Sequence, residues 1–334
     1  MRSVSSRLVL MLSGSGLALT SGLAMAITVT PSQDATQLTN ALLSGANTGI
    51  VVTSSTLSGH QESLSIAGLD AGTLTSSGSY ANSSGTYGIG PGVVISTGGV
   101  NGISMQGTPL FPGYGDGPNT VGANGYPFGS GFDIGAPPDP ENPPALGTPA
   151  TAAQELILDP ITGDPATQTY YDHYDVTELL INFDMQAGFN SVAFNIVFGS
   201  EEYPEFVGSP FVDGFGMFLN GTNIAQVGGK PVNINHPDVT DIAGTELDGV
   251  LAPNGNPVLT FSGLVNPTGN SLRFIVADTS DGVYDTTVYL SALKGVSAPE
   301  VPLPASGLLL GTAAIGLAAR GRLLRRRKEA RQPS

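Results

Sequence analysis

The stretch Phe194 to Leu219, FNIVFGSEEYPEFVGSPFVDGFGMFL, decides the fold of this chain. Its two ends, FNIVFG and GFGMFL, are short β-favouring runs of the kind that form strands of a layered sheet. The residues between them include Gly, Pro and Ser, which favour turns. The stretch therefore predicts two strands joined by one loop. Three acids lie in that loop and a fourth opens the second strand: Glu201, Glu202, Glu205 and Asp213.

Similar short runs recur on both sides of this stretch, separated by turn residues rather than by helices. They predict strands at 50–53, 92–97, 179–185, 192–199, 214–219, 232–235, 258–261, 272–277 and 284–293. One short helix is predicted near the start, with Ser32 as its cap and Ala35, Leu38 and Leu42 on one face. The fold class is therefore mostly β, an antiparallel β-sandwich with jelly-roll-like connections and one short N-terminal helix.

The segment 107–149 interrupts this pattern. It holds ten Gly and ten Pro in 43 residues and shows no apolar periodicity. Such a composition is typical of an insertion with extended, polyproline-like pieces. We expect a loop over or beside the sheet rather than a domain of its own.

A second acidic segment, Ala277 to Asp285, lies between two predicted strands. With the first loop it could bring oxygen ligands for Ca²⁺ to one end of a sandwich, because Ca²⁺ takes six to eight oxygens, largely from loops. Neighbouring strand residues point to opposite faces, so Glu201 and Glu202 can share an ion only if their strand has already ended. The candidate metal ligands are Glu201, Glu202, Asp213, Asp278, Asp281 and Asp285.

Other interpretations of these acids stay open. The Asp residues could cap turns through their own backbone while the Glu residues are solvated. Asp213 could lie at a sugar site, although the chain has no Trp for stacking. A carboxylate pair for glycan hydrolysis is a less favoured alternative. The three histidines, His60, His173 and His236, lack metal-ligand spacing, and we expect them at the surface.

The two ends of the chain predict export. Arg2 and Arg7 precede apolar runs, and Ala24 and Ala26 frame a small-x-small cleavage site, so residues 1–26 predict a signal peptide. The chain has no Cys, so a disulfide framework is excluded. Residues 27–300 carry 26 acids and three bases, a net charge of −23, which disfavours nucleic acid as a partner.

The C-terminal 34 residues combine three features in a fixed order. An apolar stretch, 303–319, would form a helix about 26 Å long at about 1.5 Å per residue, enough to cross a bilayer core. A basic segment, 320–331, follows it and would stay in the cytoplasm. The tail begins with a short motif formed by Val301, Pro302, Leu303, Pro304 and Ala305.

Two resemblances follow from these segments. The tail resembles the PEP-CTERM sorting signals of bacteria, in the VPLPA variant, which implies recognition by an exosortase. The segments FGSEEYPEFVGSPF, DGFGMFL and IVADTSDGVYDTTVYL resemble the choice-of-anchor L family of bacterial surface domains, over most of 27–293. The expected organisation is a signal peptide at 1–26, a β domain at 27–300 and a sorting segment at 301–334.

The expected function is that of an exported, non-enzymatic surface or matrix protein of a Gram-negative bacterium, stabilised by calcium. The resemblances imply Sec export, an exosortase partner and temporary anchoring in the inner membrane through the C-terminal helix. Extracellular polysaccharide is a further expected partner. The alternative function is a carbohydrate-binding module.

Overall fold

The computed structural model describes residues 27–100 and 148–297, apart from residues 44, 46, 67, 68, 165, 166, 244, 246 and 283. Two α-helices lie in these described residues, α1 (Ala35–Leu42) and α2 (Ala152–Thr162). The strands are β1 (Thr28–Pro31), β2 (Ile50–Ser58), β3 (Gln61–Ile66), β4 (Leu69–Thr75), β5 (Ser77–Ala81), β6 (Gly92–Ser96), β7 (His173–Met185), β8 (Ser191–Ser200), β9 (Gly214–Leu219), β10 (Thr222–Asn223), β11 (Gln226–Val227), β12 (Lys230–Asn233), β13 (Val239–Thr240), β14 (Gly249–Leu251), β15 (Leu259–Leu264), β16 (Asn270–Thr279) and β17 (Thr286–Val296).

Two antiparallel sheets form the body of the molecule. The first has the order β1-β5-β6-β17-β8-β14-β13, with β15 also paired to β8. The second has the order β11-β12-β9-β16-β7-β2, with β10 also paired to β9. β3 and β4 form a separate hairpin. The strands before residue 100 enter both sheets, since β6 pairs with β17 and β2 pairs with β7.

The main apolar core takes side chains from both sheets. Phe198 comes from β8, Phe215 from β9 and Phe274 from β16, and all three are fully buried. Helix α1 adds Leu38 and Leu42 to the same cluster. This arrangement follows from the period of two along each strand, which places alternate residues on the inner face.

Helix α2 covers the outer face of the second sheet. It buries Leu158 and Ile161 against Val176, Ile275 and Ala277. The glycines of the GFGMFL strand permit this close approach, because a β-carbon at Gly214 would lie 2.8 Å from Thr162 and one at Gly216 would lie 2.6 Å from Ile161. The glycines of β9 therefore face the helix, while Phe215, Met217 and Leu219 face the core.

The mostly β prediction with two antiparallel sheets, consistent with a sandwich, is confirmed. The prediction of a single helix is wrong, because α2 also forms. Its N-terminus has a capping box formed by Thr151 and Gln154. The cap of α1 is Asp34, which accepts from the backbone N–H groups of Thr36 and Gln37; Ser32 instead accepts from Asp34 N–H.

Several predictions concern residues that the structure does not describe. The signal peptide at 1–26, nearly all of the segment 107–149 and the sorting segment at 301–334 lie outside the described residues. Within the described residues, no helix is both long enough and apolar enough to span a membrane. The predicted span at 303–319 falls outside that search.

Candidate cation site between the sheets

Five carboxylates meet at one end of the two sheets, and each is at most 1% exposed: Asp175, Glu202, Asp213, Asp278 and Asp285. Asp175 lies in β7 and Asp278 near the end of β16, its antiparallel neighbour. Asp213 comes directly before β9. Glu202 follows the end of β8, and Asp285 comes directly before β17. Both sheets therefore contribute to this group, which we call the acidic cluster.

Asp213 joins the two sheets within the cluster. One of its oxygens, Oδ1, accepts from the Thr279 N–H at 2.9 Å, and the other, Oδ2, accepts from the Thr286 hydroxyl at 2.7 Å. Thr279 ends β16 in the second sheet, and Thr286 begins β17 in the first. Asp213 is therefore held as a fixed, oriented carboxylate.

A β-bulge brings Asp175 into the cluster. The register between β16 and β7 shifts between Val276 and Asp278, and Asp175 opposite this shift has a positive φ of 50°. A positive φ is uncommon for a residue other than glycine, and it redirects the side chain. Asp175 Oδ1 accepts from the Thr148 N–H at 2.7 Å.

Two segments from the N-terminal part of the chain, at His60 and at Gly98, border the cluster. The His60 Nε2 atom lies 4.0 Å from Asp175 Oδ1. A β-carbon at Gly98 would overlap the Asp285 carboxylate, so only glycine leaves room for that side chain. Thr97 also fixes the backbone next to Asp285, because its hydroxyl accepts from the Thr286 N–H at 2.9 Å.

The negative charge of the cluster is poorly compensated. Within the described residues, both oxygens of Asp278, Oε2 of Glu202 and Oδ1 of Asp285 are buried without a hydrogen-bond partner. The three basic residues of 27–300 lie elsewhere: Lys230 and Lys294 are exposed, and Arg273 pairs with Glu178 at 3.2 Å. Buried carboxylates without partners are costly, so a cation or protons must neutralise them.

The pKa values of four of these carboxyl groups also indicate too little positive charge around them. Burial, and then the charge of Asp213, raise the pKa of Glu202 to about 10. Burial raises the pKa of Asp213 to about 7, although its bonds to Thr286 and Thr279 partly offset the effect. Burial also raises the pKa values of Asp278 and Asp285 well above the ordinary range, with neighbouring carboxylates adding to the shift. Without a cation, the cluster therefore retains protons at neutral pH.

The structure brings together four of the six predicted ligands in the cluster: Glu202, Asp213, Asp278 and Asp285. Asp281 is only partly buried, but its charge raises the pKa of Glu202 and of Asp213, so it lies near them. Strand β8 ends at Ser200, so Glu201 and Glu202 are free of strand alternation. Glu201 remains partly exposed, and its N–H donates to the Asp285 carbonyl at 3.1 Å.

Sequence reasoning missed Asp175, which lies inside a strand and belongs to no motif. The expectation that the histidines lie at the surface is wrong. The side chains of His60, His173 and His236 are only 10%, 0% and 2% exposed. His60 faces Asp175, His173 contacts Glu155, and His236 Nε2 lies 3.0 Å from the Val227 carbonyl. These partners are 115, 18 and 9 residues away in sequence, respectively.

The fold and the cluster define a class: an acidic, two-sheet antiparallel β domain with buried carboxylates at one end. Residues 144–294 match the model of the family described as Choice-of-anchor L domain, which supports the family assignment for that part of the chain. The match includes all five carboxylates of the acidic cluster but not His60 or Gly98. No curated protein matches the chain significantly. No solved structure does either.

Proposed function

We propose that this chain is an exported, non-enzymatic surface or matrix protein of a Gram-negative bacterium, and that Ca²⁺ in the acidic cluster holds its β domain together. The observation that carries the cation proposal is the set of buried carboxylate oxygens without partners on Glu202, Asp278 and Asp285. The family match supports a place at the cell surface.

Calcium is the cation that suits this chemistry best. The five carboxylates and the hydroxyl oxygens beside them are hard ligands, and Ca²⁺ accepts six to eight of these in irregular geometry. Mg²⁺ demands a near-ideal octahedron and gives up its waters reluctantly. Burial, and then repulsion between the carboxylates, raise the pKa values of Asp278 and Asp285, and a cation of charge +2 would relieve that repulsion.

The position of the cluster gives the cation a structural role. Asp175 and Asp278 lie in strands of the second sheet and Asp213 comes directly before another of its strands, whereas Glu202 and Asp285 flank strands of the first. An ion bound by both groups would fasten the sheets at one end, much as a disulfide would in a protein that had Cys. This chain has none.

The test is thermal unfolding of the full chain, purified in mild detergent, in millimolar Ca²⁺ and in buffer depleted of divalent cations. A ligand that binds only the native state stabilises it by about 2.7 kcal/mol at a concentration 100-fold above Kd. We expect a higher Tm in Ca²⁺, and the same rise in the control Asp241→Asn, which alters an exposed acid. An unchanged Tm would refute the calcium part of the proposal.

The C-terminal segment supports a separate proposal, that an exosortase sorts the chain. The supporting observation is the order of the Val301–Ala305 motif, the apolar stretch 303–319 and the basic segment 320–331. Replacing both Pro302 and Pro304 with Ala should leave uncut protein in the inner membrane, as fractionation and immunoblotting would detect. Normal arrival of that variant outside the membrane would contradict sorting of this kind.

Sugar binding directly through Asp213 is disfavoured by its burial. Its side chain is 0% exposed, so a sugar ring in the solvent does not reach it. A glycan array with the full chain addresses binding elsewhere on the surface. Turnover of matrix polysaccharide that is lost in Glu202→Gln would support an enzyme instead of a structural module.

A further inference from the structure

A second group of potential metal ligands lies on the outer side of the second sheet, away from the acidic cluster. Glu155 and Asp159 are one helical turn apart on α2, and His173 begins β7. One ligand atom from each of these three residues lies within 4.8 Å of the other two. Atoms bound to one transition-metal ion at about 2.0–2.2 Å lie about 3–4 Å apart, so small rotations would close this trio on an ion.

Two tautomers of His173 fit the contacts of its ring. Its Nε2 lies 2.7 Å from the Thr162 hydroxyl, which is also 3.4 Å from the Leu158 carbonyl. In the tautomer with its proton on Nε2, the ring donates to the Thr162 hydroxyl, and Nδ1 is a lone pair that can bind a cation. In the other tautomer, Thr162 donates to Nε2, and Nδ1–H donates to Glu155.

The ring nitrogen Nδ1 of His173 faces the Glu155 carboxylate. It lies 2.5 Å from Glu155 Oε2, and the ring is 0% exposed. In the first tautomer two acceptors would meet at this distance, and a cation between them would remove the repulsion. In the second tautomer the contact is a hydrogen bond, and no cation is needed.

We propose that Glu155, Asp159 and His173 bind a divalent transition metal, for which Zn²⁺ is the probe. One imidazole with two carboxylates is a ligand set that Zn²⁺ accepts, with water completing four-coordination. The hydrogen bond from Nε2–H to Thr162 supplies the support that metal-bound histidines usually have behind the ring. Glu155 is 28% exposed, so the ion has a path from solvent.

The metal would fix α2 to the start of β7. Glu155 already spans the two elements, because its Oε1 accepts from the His173 N–H at 3.1 Å. The Glu155 oxygen beside Nδ1 would move aside to admit the ion. The competing arrangement is a buried ion pair between a protonated His173 and Glu155, with no metal.

Calorimetric titration of Zn²⁺ into the full chain, prepared without a histidine tag and in saturating Ca²⁺, separates the two arrangements. We expect one Zn²⁺ site that Asp159→Asn and Glu155→Gln each weaken at least about tenfold. The matched control is Asp238→Asn, which alters the partly exposed acid 3.8 Å from His236 and should leave Zn²⁺ affinity unchanged. Substituting Co²⁺ should give visible absorption bands that change in Asp159→Asn.

Two results would overturn the proposal. One is the absence of Zn²⁺ uptake at micromolar concentration in the unmodified chain. The other is uptake that neither Asp159→Asn nor Glu155→Gln alters. Either would identify the trio as a buried ion pair that fastens α2 to the sheet. Saturating Ca²⁺ keeps this result separate from the fate of the acidic cluster, because the Ca²⁺-dependent Tm is measured without Zn²⁺.

Discussion

The apolar core and the acidic cluster draw on the same strands, but burial stabilises the side chains of the core and destabilises the charged groups of the cluster. Phe215 of β9 and Phe274 of β16 are buried among apolar side chains, and their stabilisation needs nothing from outside the chain. Asp213 and Asp278 adjoin or end the same two strands, yet buried charge costs stability until something neutralises it. The core therefore stabilises the fold unconditionally, whereas the cluster makes part of the stability depend on solution conditions.

The largest expected effect comes from the apolar core. Phe274 is fully buried and its ring packs at 5.5 Å against that of Phe194. Phe274→Ala should cost about 3–5 kcal/mol of unfolding free energy through lost burial and a cavity. Denaturant titrations should give the same loss with and without Ca²⁺. A loss that appeared in only one condition would mean that core and cluster are not separable.

The next effect concerns the cluster itself. Asp278→Asn removes a carboxylate whose two oxygens have no hydrogen-bond partner among the described residues. Without Ca²⁺ the variant should be about as stable as the unmodified chain, because burial raises the pKa of Asp278 so far that its carboxyl group is already uncharged there. It should lose most of the Ca²⁺-dependent stabilisation, about 2.7 kcal/mol at 100-fold excess over Kd.

Chemical unfolding in both conditions measures these two differences. The control is Asp241→Asn, whose acid is exposed and lies outside the cluster. Lower stability in both conditions, with an unchanged response to Ca²⁺, would assign Asp278 a purely structural role.

A smaller effect should follow from filling the space beside Asp285. In Gly98→Ala the new methyl group would overlap that carboxylate, which we expect to cost about 1–3 kcal/mol and to weaken Ca²⁺ binding. Gly90→Ala is the matched control, because no atom lies within 4 Å of the position that its β-carbon would take. Calorimetry with Ca²⁺ compares the two variants, and equal affinities would show that the cavity at Gly98 does not serve the ion.

The response to pH accumulates over several pH units and has a definite sign. In the folded chain the pKa values are about 7 for Asp213 and about 10 for Glu202, above the unfolded values of about 3.9 and 4.3. Between about pH 4 and these folded values the native state binds more protons than the unfolded state, so stability falls as pH rises. The slope is at most about 1.4 kcal/mol per pH unit for each proton.

Tm measured in cation-depleted buffer should therefore fall between pH 6 and pH 8. In Ca²⁺ this fall should be smaller, because protons compete with the ion and calcium stabilises most at the higher pH. A Tm that rose with pH in depleted buffer would show that the cluster is neutralised by some other means.

The difference between core and cluster also explains which features could be predicted from the sequence. The short β-favouring run GFGMFL identified β9 with its bounds, because this strand signal is local. The acidic loops pointed to Glu202 and Asp285, which lie in the acidic cluster. Asp175 carries no such pattern, since a bulge in β7 directs it into the cluster. His173 was misjudged for a similar reason, because its burial depends on Glu155 in another element.

Helix α2 was missed although a signal was present. The Thr151–Gln154 capping box marks its start, but Pro160 lies inside the helix and obscures its pattern. The contribution of β2 and β6 to the two sheets also had no local signal, because strand partners are set by long-range packing. Local pattern thus predicted the elements, whereas the site required contacts between distant segments.

A crystal structure of the chain grown in millimolar Ca²⁺ tests the central claim most directly. The account predicts an ion among Asp175, Glu202, Asp213, Asp278 and Asp285, with oxygen ligands at about 2.3–2.6 Å and anomalous scattering that identifies calcium. Carboxylates paired through shared protons, with no ion between them at saturating Ca²⁺, would contradict it.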